Sequence, residues 1–172
     1  MKNTKAMIQT ALFAAVLAVC SVICIPLPTG MPLTLQTFGT ALAGFVLGWK
    51  RGAAAVGVYL AVGAAGLPVF SGFTGGFARL FGPTGGYLWG FLALAALCGT
   101  VPLKKKRHCA VFSLLGLLLC HAAGTMQFSL AAEIPFLTAF LTASVPYLAK
   151  DILSLMGAYI TAAALRNAMG VR

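Results

Sequence analysis

The stretch Gly66–Gly90, GLPVFSGFTGGFARLFGPTGGYLWG, interrupts a chain that is otherwise mostly apolar. It holds eight of the chain's twenty glycines, together with Pro68, Pro83, several aromatic residues and a single charge, Arg79. Such a stretch is poorly suited to a packed core. Because glycine lets the backbone fold back and approach another group closely, the stretch is well suited to a binding site.

The overall composition indicates an integral membrane protein. Of the 172 residues, 60% are hydrophobic and 8% are charged, and the mean hydropathy is +0.98. Soluble domains carry roughly 25% charged residues. The net charge of +10 does not indicate nucleic-acid binding, because the basic residues lie in short clusters between apolar runs. In membrane proteins such clusters set the topology.

The apolar runs predict one all-α membrane domain, residues 1–172, built as a compact bundle of six transmembrane helices. Spans of around 20 residues with short connections fit this count. Pro26, Pro28 and Pro32 end the first helix, and Lys50 and Arg51 form a tight basic turn. The glycine-rich stretch becomes a long outer loop between helices 3 and 4. The predicted helices cover residues 7–25, 34–49, 52–66, 83–101, 109–131 and 146–166.

The charges predict the orientation of this bundle. With both termini in the cytoplasm, ten of the twelve basic residues fall on the cytoplasmic side, as the positive-inside rule requires. The ten are Lys2, Lys5, Lys50, Arg51, Lys104, Lys105, Lys106, Arg107, Arg166 and Arg172. The remaining charges are Arg79, Glu133, Lys150 and Asp151, which include both acidic residues of the chain. We expect them to form a polar cluster on the outer side of a plasma-membrane protein, beneath the glycine-rich loop.

Arg79 and Asp151 are the main ligand-binding candidates in this cluster. A guanidinium offers a planar pair of donors to a carboxylate, which favours ligand contact for Arg79; the alternative is a loop residue that is solvated or snorkels to the head groups. Asp151 is an acceptor for N–H donors of a ligand, or alternatively a helix-capping residue in the first turn of the sixth helix. Lys150 lies roughly 100° further around that helix. The sequence therefore leaves two orientations equally open for its side chain, one towards the cavity and one towards solvent.

Other polar and glycine residues near the outer face are weaker candidates. Tyr87 either stacks on a ligand or belongs to the aromatic belt, and Gln127 is a candidate hydrogen-bond partner. His121 lies in the middle of an apolar helix, where a neighbouring helix usually satisfies such a side chain, although polar residues inside a membrane are often functional. For Glu133, a charged residue in a loop is a better interpretation than a role in the binding site. The amide of Gln36 and the backbone at Gly75 and Gly76 complete the predicted ligand-binding set.

Small residues on the first helix predict close packing against another helix. Ala11 and Ala15, and likewise Ala14 and Ala18, are spaced four residues apart, so each pair lies on one strip of the helix. Such strips let helices approach closely within a bilayer. Packing within the bundle and docking on a partner subunit explain the four alanines equally well.

Several motifs of catalysis are absent from the sequence. It has no G-x-x-x-x-G-K-[ST] phosphate loop, no H-E-x-x-H and no G-x-S-x-G element. Its five cysteines lie in or next to apolar runs without histidines or carboxylates at metal-ligand spacing. We therefore expect no metal site, no cofactor and no enzyme activity. A binding protein without its own motor needs a partner that supplies energy.

Three segments of the chain resemble the BioY family, the biotin-specific S components of energy-coupling factor (ECF) vitamin transporters. They are PLPTGMPLTLQTFGTALAGFVLG (26–48), GLPVFSGFTGGFARLFGPTGGYLWGF (66–91) and the Pro-x-x-x-x-Asp start of the last helix (146–151). The resemblance implies a six-helix protein that binds biotin from the outer face. It also implies partnership with a transmembrane coupling subunit and two ATP-binding-cassette ATPases, followed by reorientation in the bilayer.

The resemblance also assigns roles to individual residues. It implies that Arg79 lies near the biotin pocket, that Asp151 contacts biotin, and that the Ala11-x-x-x-Ala15 motif docks on the coupling subunit. Many family members carry a lysine three residues after the aspartate, where this chain has Ser154. Lys150 is the candidate replacement. Three alternatives remain at this point: an S component for another small vitamin, an integral membrane enzyme acting on lipid, and a structural or assembly subunit.

Overall fold

The chain folds into a helical bundle, which confirms the predicted fold class. The computed structural model describes residues 2–25 and 32–168, so Pro26 and Pro28, which are predicted to end the first helix, and Arg172 lie outside the described residues. A two-residue antiparallel ladder, Cys24–Ile25 with Leu33–Thr34, lies between the first two helices. The elements in chain order are α1 (Lys2–Val22), β1 (Cys24–Ile25), β2 (Leu33–Thr34), α2 (Gln36–Leu47), α3 (Trp49–Ala64), α4 (Ala78–Phe81), α5 (Gly85–Cys98), α6 (Lys106–Ala132), α7 (Phe136–Ala143) and α8 (Val145–Ala168).

Three of the described helices are long and apolar enough to cross a bilayer by themselves. These are α1, from residue 4 onwards, α6 and α8. Helix α2 has 12 residues and is therefore about 18 Å long, shorter than a hydrocarbon core of about 30 Å. The membrane class of the protein is clear from these helices, whereas the count of six spans stays a prediction.

The six predicted helices all overlap observed ones, with local corrections. Lys50 and Arg51 belong to the first turn of α3, so the predicted basic turn is wrong; Gly48, with φ of +82°, makes the break between α2 and α3 instead. The outer loop is not wholly irregular, because it contains the short helix α4. Helix α5 begins at Gly85, two residues after Pro83.

Helix α2 forms the centre of the bundle. Ten of its twelve residues are buried, and it packs against α1, α3, α5 and α8. An apolar helix that is buried all round must be surrounded by protein. The outer end of α2 therefore lies inside the bundle, where its polar residues can line an enclosed site.

Glycines bring neighbouring helices into backbone contact. A Cβ atom at Gly44 of α2 would collide with the carbonyl oxygen of Ala95 in α5, and one at Gly86 of α5 would collide with that of Ala123 in α6. Gly90 lies equally close to the backbone of Cys120. These helices can pack at this distance only because these positions lack a side chain.

Except for Arg79 and Lys150, the basic residues of the described helices collect at one end of the bundle, here called the basic end: the starts of α1, α3 and α6 and the end of α8. Arg51 donates a hydrogen bond to the Gln9 side chain over 3.2 Å, and Arg166 donates to the carbonyl oxygen of Val46 over 3.3 Å. The glycine-rich loop and the start of α8 lie at the opposite end. This separation agrees with the topology predicted from the charges.

Candidate functional site

A small cavity lies at the end of the bundle opposite the basic end. It encloses about 80 Å³ beneath the glycine-rich loop. Its walls come from β2, α2, α4, α5, α6, α7 and α8 and from connecting residues such as Phe70, Thr74 and Thr84. Of the predicted ligand-binding residues, those that line it are Gln36, Arg79, Tyr87, Lys150 and Asp151.

Asp151 lies at the centre of the cavity's polar side. Its side chain is buried, and its two carboxylate oxygens face different partners: Oδ1 pairs with the Lys150 ammonium, and Oδ2 lies 3.2 Å from Nε2 of His121. Because a carboxylate only accepts hydrogen bonds, Nε2 carries the proton in this contact. Asp151 lies in the second turn of α8, which begins at Val145, so the alternative role as a first-turn cap is wrong.

Lys150 reaches the same cavity although it precedes Asp151 by one residue. Its Nζ donates a hydrogen bond to the carbonyl oxygen of Thr34 over 3.0 Å, in addition to the ion pair with Asp151. The side chain thereby links α8 to β2. Of the two orientations left open by the sequence, the structure has the one that faces the cavity.

Arg79 occupies the rim of the cavity. It lies in α4 and is exposed, although it is one of the lining residues. Its helix is connected to the bundle by Gln127 and Trp89, whose side-chain nitrogens both donate to the carbonyl oxygen of Leu80 over 3.1 Å. Arg79 is therefore a cation at the entrance, whereas Lys150 is a cation inside.

The inner wall is a satisfied hydrogen-bond network around Gln36. The Gln36 amide donates to Ser21 over 2.8 Å and to Tyr59 over 2.9 Å, and its oxygen accepts from Thr34 over 3.0 Å. All four residues are buried. Since buried polar groups without partners cost roughly 1–3 kcal/mol each, this network holds the amide in one orientation.

Tyr87 links three helical segments around the cavity. Its hydroxyl lies 2.8 Å from both the carbonyl oxygen of Ala143 and the Ser144 hydroxyl, which in turn lies 2.7 Å from that of Thr125. The aromatic ring packs edge-on against His121. Tyr87 thus lies inside the bundle and does not belong to an aromatic belt.

Four of the candidates predicted near the outer face do not line the cavity. Gln127 holds the loop by donating to the carbonyl oxygens of Leu80 and Gly82. Gly75 packs against the backbone of residues 66 and 67, and Gly76 has a φ of +100°. Glu133 is exposed and ends α6 in a left-handed conformation. These residues determine the shape of the loops: the glycines allow close backbone contact or a positive φ, and the Gln127 amide forms hydrogen bonds with the loop backbone.

The alanines of α1 divide between two faces. Ala11 and Ala15 are exposed, whereas Ala14 is buried and Ala18 packs against the core. Of the two explanations left open by the sequence, packing within the bundle therefore applies to Ala14 and Ala18, which corrects their assignment as docking candidates. Only the Ala11–Ala15 strip is open to a partner, and the other pair serves packing within the bundle.

The sequence pointed only weakly to several cavity residues. The ligand-binding set predicted from the sequence omits His121, a polar residue in an apolar helix. Thr37 and Tyr147 also line the cavity, and nothing in the local sequence distinguishes them from other residues of apolar helices. Within the described residues, no group of three or more metal-ligating side chains is present.

Comparison with known proteins gives concordant matches over nearly the whole chain. The model of the BioY family matches residues 1–171. The probable biotin transporter BioY of Pyrococcus horikoshii is 39% identical over 157 residues, covering 91% of this chain and 93% of that protein. The biotin transporter BioY2 of Lactococcus lactis subsp. cremoris is 35% identical over 174 residues, covering 98% and 95%.

A solved structure has the same fold. It is the S-component for biotin from an ECF-type ABC transporter, with a TM-score of 0.86 and 28% sequence identity. The match covers 96% of this chain and 93% of that chain. The arrangement of helices around the cavity is therefore that of a known transport component.

Proposed function

Because the chain belongs to the BioY family, we propose that it is the substrate-binding S component of an ECF-type importer and that its ligand is biotin. Members of this family are transport components, so the chain is not an enzyme. The observation that carries the ligand proposal is the buried Asp151 carboxylate, held between Lys150 and His121 in a cavity beneath the glycine-rich loop.

The chemical groups of biotin match those that line this cavity. Its ureido ring carries two N–H donors and a carbonyl oxygen, its side chain ends in a carboxylate, and its bicycle and chain are apolar. Asp151 accepts an N–H, and Lys150 donates to an oxygen. Leu88, Phe91 and Leu117 supply apolar wall, and Arg79 at the rim is a cation for the carboxylate.

Lys150 replaces the family's lysine at the position of Ser154. Ser154 is buried and one helical turn from Asp151, but it carries no charge. Lys150 delivers an ammonium to the same carboxylate from the preceding position. The site therefore keeps one partly buried cation and one buried anion, which leaves the unliganded cavity without net charge from this pair.

Energy for import comes from partner chains. We propose a multi-pass protein of the plasma membrane with six spans, one domain over residues 1–172, and both termini in the cytoplasm. A coupling subunit docks on the Ala11–Ala15 strip of α1, and two ATPases act through that subunit. The collection of basic residues at one end of the bundle supports this orientation.

Calorimetric titration of the detergent-purified protein with biotin, thiamine and riboflavin tests the proposal. We expect saturable heat with biotin at micromolar protein and none with the other two vitamins. Heat with thiamine or riboflavin but not with biotin would assign the chain to another vitamin. Absence of heat with all three, in protein that remains folded, would reject the proposal.

A further inference from the structure

A second cavity lies between α6 and α8, nearer the basic end. Helix α6 packs mainly on α5, and α8 packs mainly on α2, so α6 and α8 touch each other little. The gap between them encloses about 390 Å³, and Phe45 of α2 closes its back. It is separate from the cavity around Asp151, because none of the lining residues is shared.

The walls of this groove are apolar and suit hydrocarbon. Leu114, Ile152, Met156 and Ile160 line it and are also exposed on the outer surface of their helices, where lipid surrounds a membrane protein. The Ser113 hydroxyl donates to carbonyl oxygens of its own helix. Water in the groove would have few polar partners, and apolar cavities do not hold water.

The size of the groove selects between hydrocarbon and a partner helix. On α6 it runs from Lys106 to Leu114, a length of roughly 12 Å. A helix is about 10 Å wide with its side chains, so a docked helix would rest on the outer edges of α6 and α8 and leave the space in front of Phe45 unfilled. An acyl chain is thin enough to reach Phe45.

The basic end of the groove carries a positive charge. Lys106 is the one charged residue among the described residues that line it, and it is exposed. Arg166 lies close by, since it donates to the carbonyl oxygen of Val46, next to Phe45. Basic residues at the membrane surface attract anionic head groups, with about 1 kcal/mol for each lysine or arginine.

From these observations we infer that the α6–α8 groove binds one anionic phospholipid, with an acyl chain between Leu114 and Met156 and the phosphate at Lys106. The site is distinct from the biotin cavity and does not depend on the ligand assigned to that cavity. It requires only that α6 and α8 face the bilayer.

Native mass spectrometry of the purified protein tests this inference. The protein is titrated with phosphatidylglycerol or phosphatidylcholine of the same chain length. We expect one phosphatidylglycerol to remain bound with about fivefold preference over phosphatidylcholine, the value for one lysine. Lys106→Gln removes the preference. Lys104→Gln, which makes the same charge change just outside the groove, keeps it.

A second variant tests the acyl-chain part of the site. Ala110 is exposed and lines the groove next to Lys106, so Ala110→Phe fills it without displacing a buried side chain. We expect this variant to lose the retained lipid. The same preference for phosphatidylglycerol in Lys106→Gln and wild type, or unchanged lipid retention by Ala110→Phe, would overturn the inference. Loss of co-purification with the coupling subunit in Ala110→Phe, with lipid retained, would assign the groove to a protein partner instead.

Discussion

Lys150 and Asp151 are adjacent in sequence, yet their side chains meet in one cavity as an ion pair. Successive helical residues diverge by 100°, so this contact depends on the flexible four-carbon stem of lysine. The ammonium also donates to the carbonyl oxygen of Thr34, which fixes it against β2. The pair gives the cavity an acceptor and a donor side by side, a pattern that matches the N–H and C=O of a cyclic urea.

Replacing Asp151 with Asn tests the acceptor. The change removes the charge but keeps the shape, and we expect biotin affinity to fall by about 1–3 kcal/mol, or roughly 5- to 150-fold. Calorimetry measures the change. Glu133→Gln is the matched control, because Glu133 is the other acidic residue and lies outside the cavity lining. Equal effects of the two substitutions would show that overall charge, and not this contact, determines affinity.

Lys150→Gln tests whether this lysine acts at the site. We expect weaker biotin binding, by about 1–3 kcal/mol, because a charged donor is lost and Asp151 loses its ion-pair partner. The double variant Lys150→Gln with Ser154→Lys moves the cation to the position used in many relatives, and we expect it to recover part of the affinity. Unchanged binding in the single variant would mean that Lys150 serves only to neutralise Asp151.

Gly86→Ala tests the backbone contact between α5 and α6. Its Cβ would collide with the carbonyl oxygen of Ala123, so we expect a loss of about 1–3 kcal/mol of stability from overpacking. Gly57→Ala is the control, because nothing lies within 4 Å of the added methyl group and alanine favours a helix by about 1 kcal/mol. Thermal unfolding in detergent measures both. A stabilised Gly86→Ala variant would contradict the proposed contact.

Gln127→Leu tests whether Gln127 holds the glycine-rich loop. The substitution removes the hydrogen bonds to Leu80 and Gly82, so we expect faster cleavage by trypsin after Arg79, the only basic residue of the loop. The rate is followed by mass spectrometry. Thr142→Val, which removes hydrogen bonds only within α7, should leave the rate unchanged. If Gln127→Leu weakens biotin binding without faster cleavage, Gln127 contacts the ligand directly.

Replacing Ala11 and Ala15 with Phe tests the docking strip. Both residues are exposed, so the fold and biotin binding should persist while co-purification with the coupling subunit is lost. Ala122→Phe, on an exposed position of α6, is the control and should co-purify normally. Retained co-purification of the double variant would place the docking surface elsewhere.

The sequence predicted the parts of this fold that depend on long apolar runs. Helices α1, α6 and α8 were found because lipid requires long apolar helices. The turn was wrongly predicted at Lys50 and Arg51 because two adjacent charges between apolar runs are typical of a turn. The break between α2 and α3 lies at Gly48 instead, where a single residue with a positive φ is sufficient. The short helix α4 was missed, since four residues with one isolated charge carry no periodic pattern.

The candidate site was predicted in part, through charge. The topology rule separated Arg79, Lys150 and Asp151 from the other charges, and all three line the cavity. The same rule grouped Glu133 with them, although Glu133 is exposed and does not line the cavity. The contact of His121 with Asp151 joins residues 30 positions apart, and only the packing of α6 near α8 brings them together.

The glycine contacts of α2, α5 and α6 have a consequence for ligand entry. Where backbone meets backbone, as at Gly44 with Ala95 and Gly86 with Ala123, no side chain can change rotamer to open a passage. The helical frame behind the cavity is therefore stiff. We expect the gate for entry to consist of the connections outside this frame, residues 66–84 and 133–144, so that the rate of capture is set by these segments and not by separation of the helices.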